Sequence, residues 1–142
     1  MEIRSRIIKT ESIEWRKAEW LQPDDFKDIS KTQFEKLKQS LRVNSFLQPF
    51  NVWENGTIKI LDGVHRKRAM LSLETDGVLI PDLLPANFID CKDEKEAKKL
   101  VLVYSSVYAR VGEDSLYEFI HMNDLNFAEL RMELDLPDLN LL

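Results

Sequence analysis

One short segment, residues 62–68, combines residue types that bind anions in proteins. It reads Asp-Gly-Val-His-Arg-Lys-Arg, follows an apolar run, and leads into a stretch that favours a helix. Where a strand turns directly into a helix, the first backbone N–H groups lack acceptors, and the helix dipole attracts negative charge there. Four side chains add potential donors, and an arginine can bind a phosphate through two parallel hydrogen bonds. These donors are His65, Arg66, Lys67 and Arg68.

The same segment also fits a purely structural role. In that interpretation Asp62 caps the helix, Gly63 forms the turn, and the basic side chains are solvated or paired with acids. Basic residues at a helix N-terminus oppose the dipole, which favours a ligand that offsets this cost. For the same reason we expect Arg66→Ala to change stability little or even to raise it. Arg66→Ala should weaken anion binding, and Gly63→Ala should weaken it more if Gly63 needs a positive φ.

The composition is that of an ordinary globular protein. The chain has 142 residues, of which 44% are hydrophobic and 32% charged, and no apolar run approaches the ~20 residues of a membrane span. One cysteine, Cys91, and two separated histidines offer little to a metal centre, so we expect none. We expect a cytoplasmic protein with no membrane partner.

The net charge of −5 is unevenly distributed. Residues 1–70 carry 14 Lys and Arg against 10 Asp and Glu, whereas residues 71–142 carry 6 against 15. An anionic partner should therefore meet the first half. The acidic second half is either solvated surface or a contact face for a protein partner.

Local patterns predict the elements of the first half. Residues 5–9 read as a strand and residues 11–28 as a loop. Ser30 with Gln33 forms a capping box before an amphipathic helix that Asn44 should end. The apolar residues on one face of this helix are Phe34, Leu37 and Leu41.

Asn55-Gly56 predicts a β-hairpin over residues 50–61. A two-residue turn with both residues at positive φ pairs Trp53 with Ile58 and Phe50 with Leu61. Because these pairs fall on opposite faces, the hairpin should be covered on both sides.

The remaining patterns are mainly helical. Residues 66–73 form a helix whose core positions are Ala69, Met70 and Leu73, ended by Asp76-Gly77, and residues 86–90 form a strand. A helix from Asp93 to Tyr108 and two further helices follow, around residues 116–120 and 127–134. We therefore predict an α/β (α+β) fold, with a mixed sheet, a central hairpin and surrounding helices in residues 1–90. Residues 91–142 would form a helical extension packed on it.

The order of these motifs resembles the N-terminal domain of the ParB family, which shares its fold with sulfiredoxin. The matching stretches are Leu37-Lys-Gln-Ser-Leu41, Gln48-Pro-Phe-Asn-Val52, the Asn-Gly hairpin, and Asp62-Gly-Val-His-Arg66-Lys-Arg-Ala69. Gln48-Pro49 followed at this spacing by the Gly63…Arg66…Ala69 box is the more specific part. The region covers roughly residues 3–90, and the rest resembles helical extensions of ParB-like proteins from phages and mobile elements.

The resemblance implies a nucleoside triphosphate, CTP or ATP, bound with Mg²⁺. It assigns phosphate contacts to Gly63, His65, Arg66 and Arg68 and places Gln48 beside the same pocket. Val64 departs from the family, since partition proteins have Glu there and sulfiredoxins have the reactive Cys. Neither catalytic scheme transfers, and Cys91 lies outside the box.

Three functions follow from these observations. The first is a nucleotide-binding module of a DNA partition, modification or phage system. The second is an active enzyme of the same fold, a nuclease, kinase or nucleotide hydrolase, for which Asp62, Glu54 and Glu35 are the candidate catalytic residues. The third is a non-catalytic interaction domain. DNA should be involved only indirectly, because residues 113–134 read as two helices with one arginine among six acids, which DNA phosphates would repel.

Overall fold

The computed structural model describes residues 1–21, 29–106 and 112–135, and of Glu113 it describes the backbone only. These residues form strands and helices in a mixed order, which confirms the predicted α+β class. The strands are β1 (Ile7–Glu14), β2 (Glu19–Trp20), β3 (Phe50–Asn55), β4 (Thr57–Asp62) and β5 (Leu83–Ile89). The helices are α1 (Lys31–Asn44), α2 (Val64–Thr75), α3 (Glu94–Ser105), α4 (Glu113–Met122) and α5 (Phe127–Glu133).

The strands form one mixed sheet in the order β1-β5-β3-β4-β2. β3 and β4 make the antiparallel hairpin in the interior of the sheet, as predicted. β5 runs parallel to β3 and antiparallel to β1, and the short β2 runs parallel to β4. The hairpin is therefore paired along both of its edges, with β5 beside β3 and β2 beside β4.

The register of the hairpin differs from the prediction by one residue near the turn and by two residues at Asn51, beyond an irregularity between Asn51 and Val52. Gly56 has a φ of 75°, but Asn55 has no positive φ, so the turn is not the type that needs both. Asn55 lies opposite Thr57, and Trp53 lies opposite Lys59. The predicted pairs that this register excludes are Trp53–Ile58 and Phe50–Leu61.

Both faces of the hairpin are buried, as the apolar pattern predicted. On one face Trp53 and Leu61 pack with residues of β5 and α3 in a single core cluster. On the other face the side chains of Phe50, Val52 and Ile60 are inaccessible to solvent. The members of the α3-facing cluster are Trp53, Leu61, Ile89, Ala97 and Val101.

The N-terminal strand is longer than predicted. β1 continues to Glu14 and β2 occupies Glu19–Trp20, so the prediction of a loop over residues 11–28 is wrong in both places. The pattern misled because β1 is an edge strand in which Ile13 is the buried residue, and its polar side chains face solvent. Trp15, directly after β1, is completely buried, and its Nε1–H donates to the Pro81 carbonyl at 2.7 Å.

The helix boundaries follow local capping signals. Ser30 and Gln33 form the predicted capping box at the start of α1. The residue with positive φ after α1 is Ser45, at 62°, rather than Asn44, so that prediction is wrong by one residue. Asp93 caps α3 by accepting from the Glu96 N–H. α3 ends at Ser105, whereas the predicted helix ran to Tyr108, which lies outside the described residues.

The chain divides into two compact units. The first contains residues 1–28 and 46–106, and so the whole sheet with α2 and α3. The second contains residues 29–45 and 107–142, and its α4 and α5 share an apolar cluster. The predicted domain boundary at residue 90 stays a prediction, and the tail from residue 136 lies outside the described residues. No described helix is long and apolar enough to cross a membrane.

Two basic residues anchor the segment between β1 and β2 in ways that the sequence did not suggest. Arg16 donates two hydrogen bonds to the carboxylate of Glu74 on α2 and a third to Asp82. Arg16 lowers the pKa of the Glu74 carboxyl by hydrogen bonding to it. Lys67 of α2 is buried, and its Nζ donates to the carbonyls of Arg16 and Ala18.

Replacement of Lys67 tests this anchor. We expect Lys67→Met to lower the free energy of unfolding by about 1–3 kcal/mol, because two partly buried carbonyls lose their donor. Lys98→Met on the exposed face of α3 is the matched control and should change it by less than ~0.5 kcal/mol. Urea denaturation of the three proteins measures the difference, and equal stability would contradict the anchoring role.

Candidate functional site

Helix α2 begins immediately after strand β4, and one glycine makes the connection. Gly63 lies between Asp62, the last residue of β4, and Val64, the first of α2, and it has a φ of 117°. Glycine adopts this conformation at little cost, whereas other residues do so rarely. Asp62 does not cap the helix, since no side chain makes a cap hydrogen bond there. The first N–H groups of α2 therefore have no acceptor within the helix.

The first residues of α2, Val64, His65 and Arg66, line a small pocket of about 150 Å³. The first turn of α2 contains no acidic residue, so nothing within it neutralises the positive end of the dipole. His65 is half-buried with both ring nitrogens inaccessible to solvent, and Ser105 closes the pocket from the end of α3. The lining residues are Leu61, Asp62, Gly63, Val64, His65, Arg66 and Ser105.

Arg66 points from α2 to the segment that precedes β3. Its Nη1 donates to the Gln48 carbonyl, and its Nη2 lies 3.4 Å from the Pro49 carbonyl. Gln48, which the resemblance placed beside the pocket, is exposed and is not among the pocket-lining residues, and it contacts Arg66 through its backbone carbonyl. These bonds argue against the expectation that Arg66→Ala leaves stability unchanged or raises it, because the carbonyls would lose their donor.

The guanidinium of Arg66 is also packed against aromatic rings. Its central carbon lies 5.5 Å from the ring centroid of Phe46 and 5.3 Å from that of Phe50. Burial lowers the pKa of Arg66, and the carboxylate of Asp62, 3.8 Å away, acts in the opposite direction. The side chain is only 15% exposed, so the protein holds a partly desolvated cation at the pocket.

The other basic residues of the segment point elsewhere. Arg68 is exposed, about 200° around the helix from Arg66 at ~100° per residue. Lys67 is buried in the anchor described above. Of the basic residues in this segment, it is therefore Arg66 and His65 that the structure places at the pocket.

The three acidic candidates are placed differently from one another. Asp62 lines the pocket. Glu54 is exposed and lies opposite Ile58 near the hairpin turn. Ile58 is four residues from Asp62 along β4, which is about 13 Å. Glu35 belongs to α1 in the second unit, 3.9 Å from Nζ of Lys38. Within the described ranges, no group of three His, Cys, Asp or Glu side chains could hold a metal ion.

Sequence reasoning missed Ser105, which lines the pocket, and Asn51, which contacts the site through Asp62. Asn51 of β3 donates from Nδ2 to Oδ2 of Asp62 at 3.2 Å. The two residues are eleven apart in the chain and meet through the register of the hairpin. No local motif marks this pair, so the pairing of the strands is the only signal that could have found it.

Comparison with known proteins gives a structural match but no sequence match. No family model matches the sequence, and no curated protein is significantly similar to it. The structure is similar to that of the C-terminally truncated chromosome-partitioning protein ParB from Caulobacter crescentus, solved with CTP-γ-S, at a TM-score of 0.64. The match covers 89% of this chain and 72% of that one, with 17% identity. This chain has a ParB-like fold.

In the ParB-like fold the Gly63…Arg66…Ala69 box lies at the junction between β4 and α2. Gly63 is the turn, Arg66 reaches the Gln48-Pro49 carbonyls, and Ala69 is completely buried. Burial raises the pKa of the Cys91 thiol, which disfavours the thiolate at neutral pH. In this ParB-like domain the polar groups of the pocket are backbone N–H groups, the guanidinium of Arg66, the carboxylate of Asp62, the imidazole of His65 and the hydroxyl of Ser105.

Gly63→Ala should be strongly destabilising for two separable reasons. A Cβ at Gly63 would meet strain at φ 117° and would lie 2.5 Å from Cδ1 of Phe50. Gly77→Ala is the matched control, since its φ is 90° and nothing lies within 4 Å of its Cβ position. We expect Gly77→Ala to cost about 1–2 kcal/mol from backbone strain and Gly63→Ala a further ~1–3 kcal/mol from the clash. Thermal and urea unfolding measure both, and equal losses would contradict the packing described for Gly63.

Proposed function

We propose that this chain is a ParB-like module that binds a nucleoside triphosphate through its phosphates at the start of α2. The supporting observation is a pocket that combines N–H groups at an uncapped helix N-terminus with the buried cation of Arg66. Both features attract phosphate. The ParB structure with a similar fold contains CTP-γ-S, which supports CTP as the first ligand to test and ATP as the second.

The size of the pocket limits which part of the ligand enters it. Sites that enclose a whole small molecule have about 300–1,000 Å³, whereas this pocket has about 150 Å³. It suits a phosphate group, and the sugar and base would lie outside it. The proposed phosphate contacts are Gly63, His65 through its backbone N–H, and Arg66, whereas Arg68 would act only as a more distant charge. Gln48 would hold Arg66 in place through its carbonyl.

Mg²⁺ is proposed to enter with the nucleotide. Magnesium sites commonly use one or two carboxylates together with substrate phosphates, and the pocket offers the carboxylate of Asp62. A single carboxylate fits a metal carried by the ligand better than a resident ion. We assign no catalytic residue, and the proposed module binds nucleotide with or without slow hydrolysis. Its placement in a DNA partition, modification or phage system rests on the family resemblance.

A second proposed function is protein binding through α4, which lies in the acidic half of the chain. α4 exposes apolar side chains among acids, with Phe119 61% and Met122 84% exposed. Exposed apolar groups that lie together favour a contact surface over simple solvation. A partner with a basic, partly apolar face would complement this helix.

Site-specific photo-crosslinking tests this surface. With benzoylphenylalanine in place of Phe119, we expect a defined crosslinked protein after irradiation of cells that express the tagged chain. The same probe at Leu102, which is 56% exposed on α3, is the matched control and should give none. Equal crosslinking at both positions would indicate nonspecific contact and contradict the proposal.

Nucleotide binding is tested by thermal shift with CTP, ATP, GTP and their diphosphates, with and without Mg²⁺. A ligand at 100 times its Kd stabilises the native state by about 2.7 kcal/mol, so a binding nucleotide should raise Tm clearly. Calorimetry of the best nucleotide should show at least about tenfold weaker binding for Arg66→Ala, because the charge-assisted bonds are lost. Exposed Arg68→Ala is the control, with a change of about twofold or less. Unfolding of Arg66→Ala, measured in parallel, verifies that the variant is folded. Equal affinity in wild type and folded Arg66→Ala would contradict this site.

A further inference from the structure

A row of four hydrogen-bonded polar side chains crosses the sheet and ends at the pocket. Thr10 lies opposite Asn87, Asn87 opposite Asn51, and Asn51 opposite Asp62, so the row spans β1, β5, β3 and β4. Oγ1 of Thr10 donates to Oδ1 of Asn87 at 2.7 Å, and Nδ2 of Asn87 donates to Oδ1 of Asn51 at 3.2 Å. Nδ2 of Asn51 then donates to Oδ2 of Asp62, also at 3.2 Å.

A bulge in β4 brings Asp62 into this row. Val52 lies opposite Ile60 but Asn51 lies opposite Asp62, so Leu61 is an extra residue between two paired positions. A bulge of this kind re-aims the side chains next to it. Here Leu61 enters the apolar core, and Asp62 comes beside Asn51 at the pocket.

The negative charge of Asp62 fixes which end of each amide in the row donates and which end accepts. An ionised carboxylate only accepts hydrogen bonds, so Asn51 must turn its amide nitrogen toward Asp62. The Asn51 oxygen then accepts from Nδ2 of Asn87, whose own oxygen accepts from Oγ1 of Thr10. Each amide therefore has one orientation, and the donors that hold Asp62 are supported from the far edge of the sheet.

One oxygen of Asp62 is shared between two partners at different distances. Oδ2 lies 3.2 Å from Nδ2 of Asn51, which is a hydrogen bond, but 3.8 Å from Nη2 of Arg66, which is not. If the distance from Oδ2 of Asp62 to Nη2 of Arg66 closed to ~2.8 Å, the Coulomb attraction between the two charges would increase, at an effective dielectric constant of about 20. The increase corresponds to about tenfold in an equilibrium constant. A carboxylate that closed on Arg66 would compete with a phosphate for the same guanidinium.

We propose that Asn51 is a positioning residue of the α2 site, which holds Asp62 on the strand and so leaves Arg66 available to an anion. The inference rests on the proposed phosphate site and adds a residue that sets the affinity of this site for an anion. Asn51 touches no ligand in this account. It acts through Asp62, with Asn87 and Thr10 supporting its orientation.

The proposal predicts opposite effects on anion affinity for substitutions of Asn51 and of its hydrogen-bond partner Asp62. Calorimetric titration with inorganic triphosphate, without Mg²⁺, should show about three- to tenfold weaker binding for Asn51→Ala, because Asp62 can then close on Arg66 from 3.8 Å to hydrogen-bond distance. Asp62→Asn should bind more tightly than wild type. Asn51→Ala/Asp62→Asn should bind at least as tightly as wild type, a rescue that a merely structural role of Asn51 would not produce.

Two further variants control this experiment. Asn55→Ala, at the hairpin end of the same strand, should leave the affinity unchanged. Asn87→Ala, which removes the donor that orients Asn51, should weaken binding in the same direction but less, and replaces Asn51→Ala if that variant does not fold. Unchanged affinity in folded Asn51→Ala, or a double variant as weak as Asn51→Ala, would overturn the inference.

A measurement without ligand separates the two proposals. In ¹H–¹⁵N spectra of the free protein, Asp62→Asn should shift the side-chain amide signals of Asn51 and, to a smaller extent, Asn87. Unmoved signals would contradict the row itself. Wild-type protein that binds neither triphosphate nor any nucleotide would overturn the proposed function and this inference with it, whereas wild-type binding with unaffected Asn51→Ala overturns the inference alone.

Discussion

The left-handed backbone of Gly63 is the constraint on which the rest of the site depends. Its φ of 117° lets α2 begin one residue after β4 ends, so the unpaired N–H groups of the helix lie at the end of a central strand. The same residue leaves room for the ring of Phe50 and the guanidinium of Arg66, which would lie 2.5 and 2.9 Å from a Cβ. The turn, the helix start and the position of Arg66 are therefore a single structural feature.

The electrostatics of this feature contrast with those of the whole chain. The protein carries a net charge of −5, yet the first turn of α2 has no acid, and Arg66 is held there although burial lowers its pKa. Backbone carbonyls and aromatic faces, together with Asp62, compensate the guanidinium. Of these groups, Asp62 carries a full negative charge, and it reaches the pocket through the bulge at Leu61. Core packing and the charge of the site are thus linked at that bulge.

Features that depend on neighbours in the chain could be predicted from the sequence. The capping box of Ser30 and Gln33 forms because the two residues meet within one turn of helix. Gly56 forms the hairpin turn, and Asp93 caps α3, for similarly local reasons. The ParB-like fold could be predicted because several such signals follow one another in a specific order. The box from Gly63 was found in the same way, since a turn residue and the cations after it form one continuous segment.

Tertiary structure decided what those residues do. The one-residue shift of the hairpin, and with it the pairing of Asn51 with Asp62, follows from a turn geometry and a bulge that Asn55-Gly56 leaves open. The sequence could not show that Arg66 contacts the Gln48 carbonyl, because backbone atoms carry no residue signature and the contact spans eighteen positions. The sequence by itself therefore determined most of the elements, although not β2, together with their order and the cationic segment, because these features arise from short-range energetics. Register, burial and partner choice arise from long-range packing, and only the folded chain decides them.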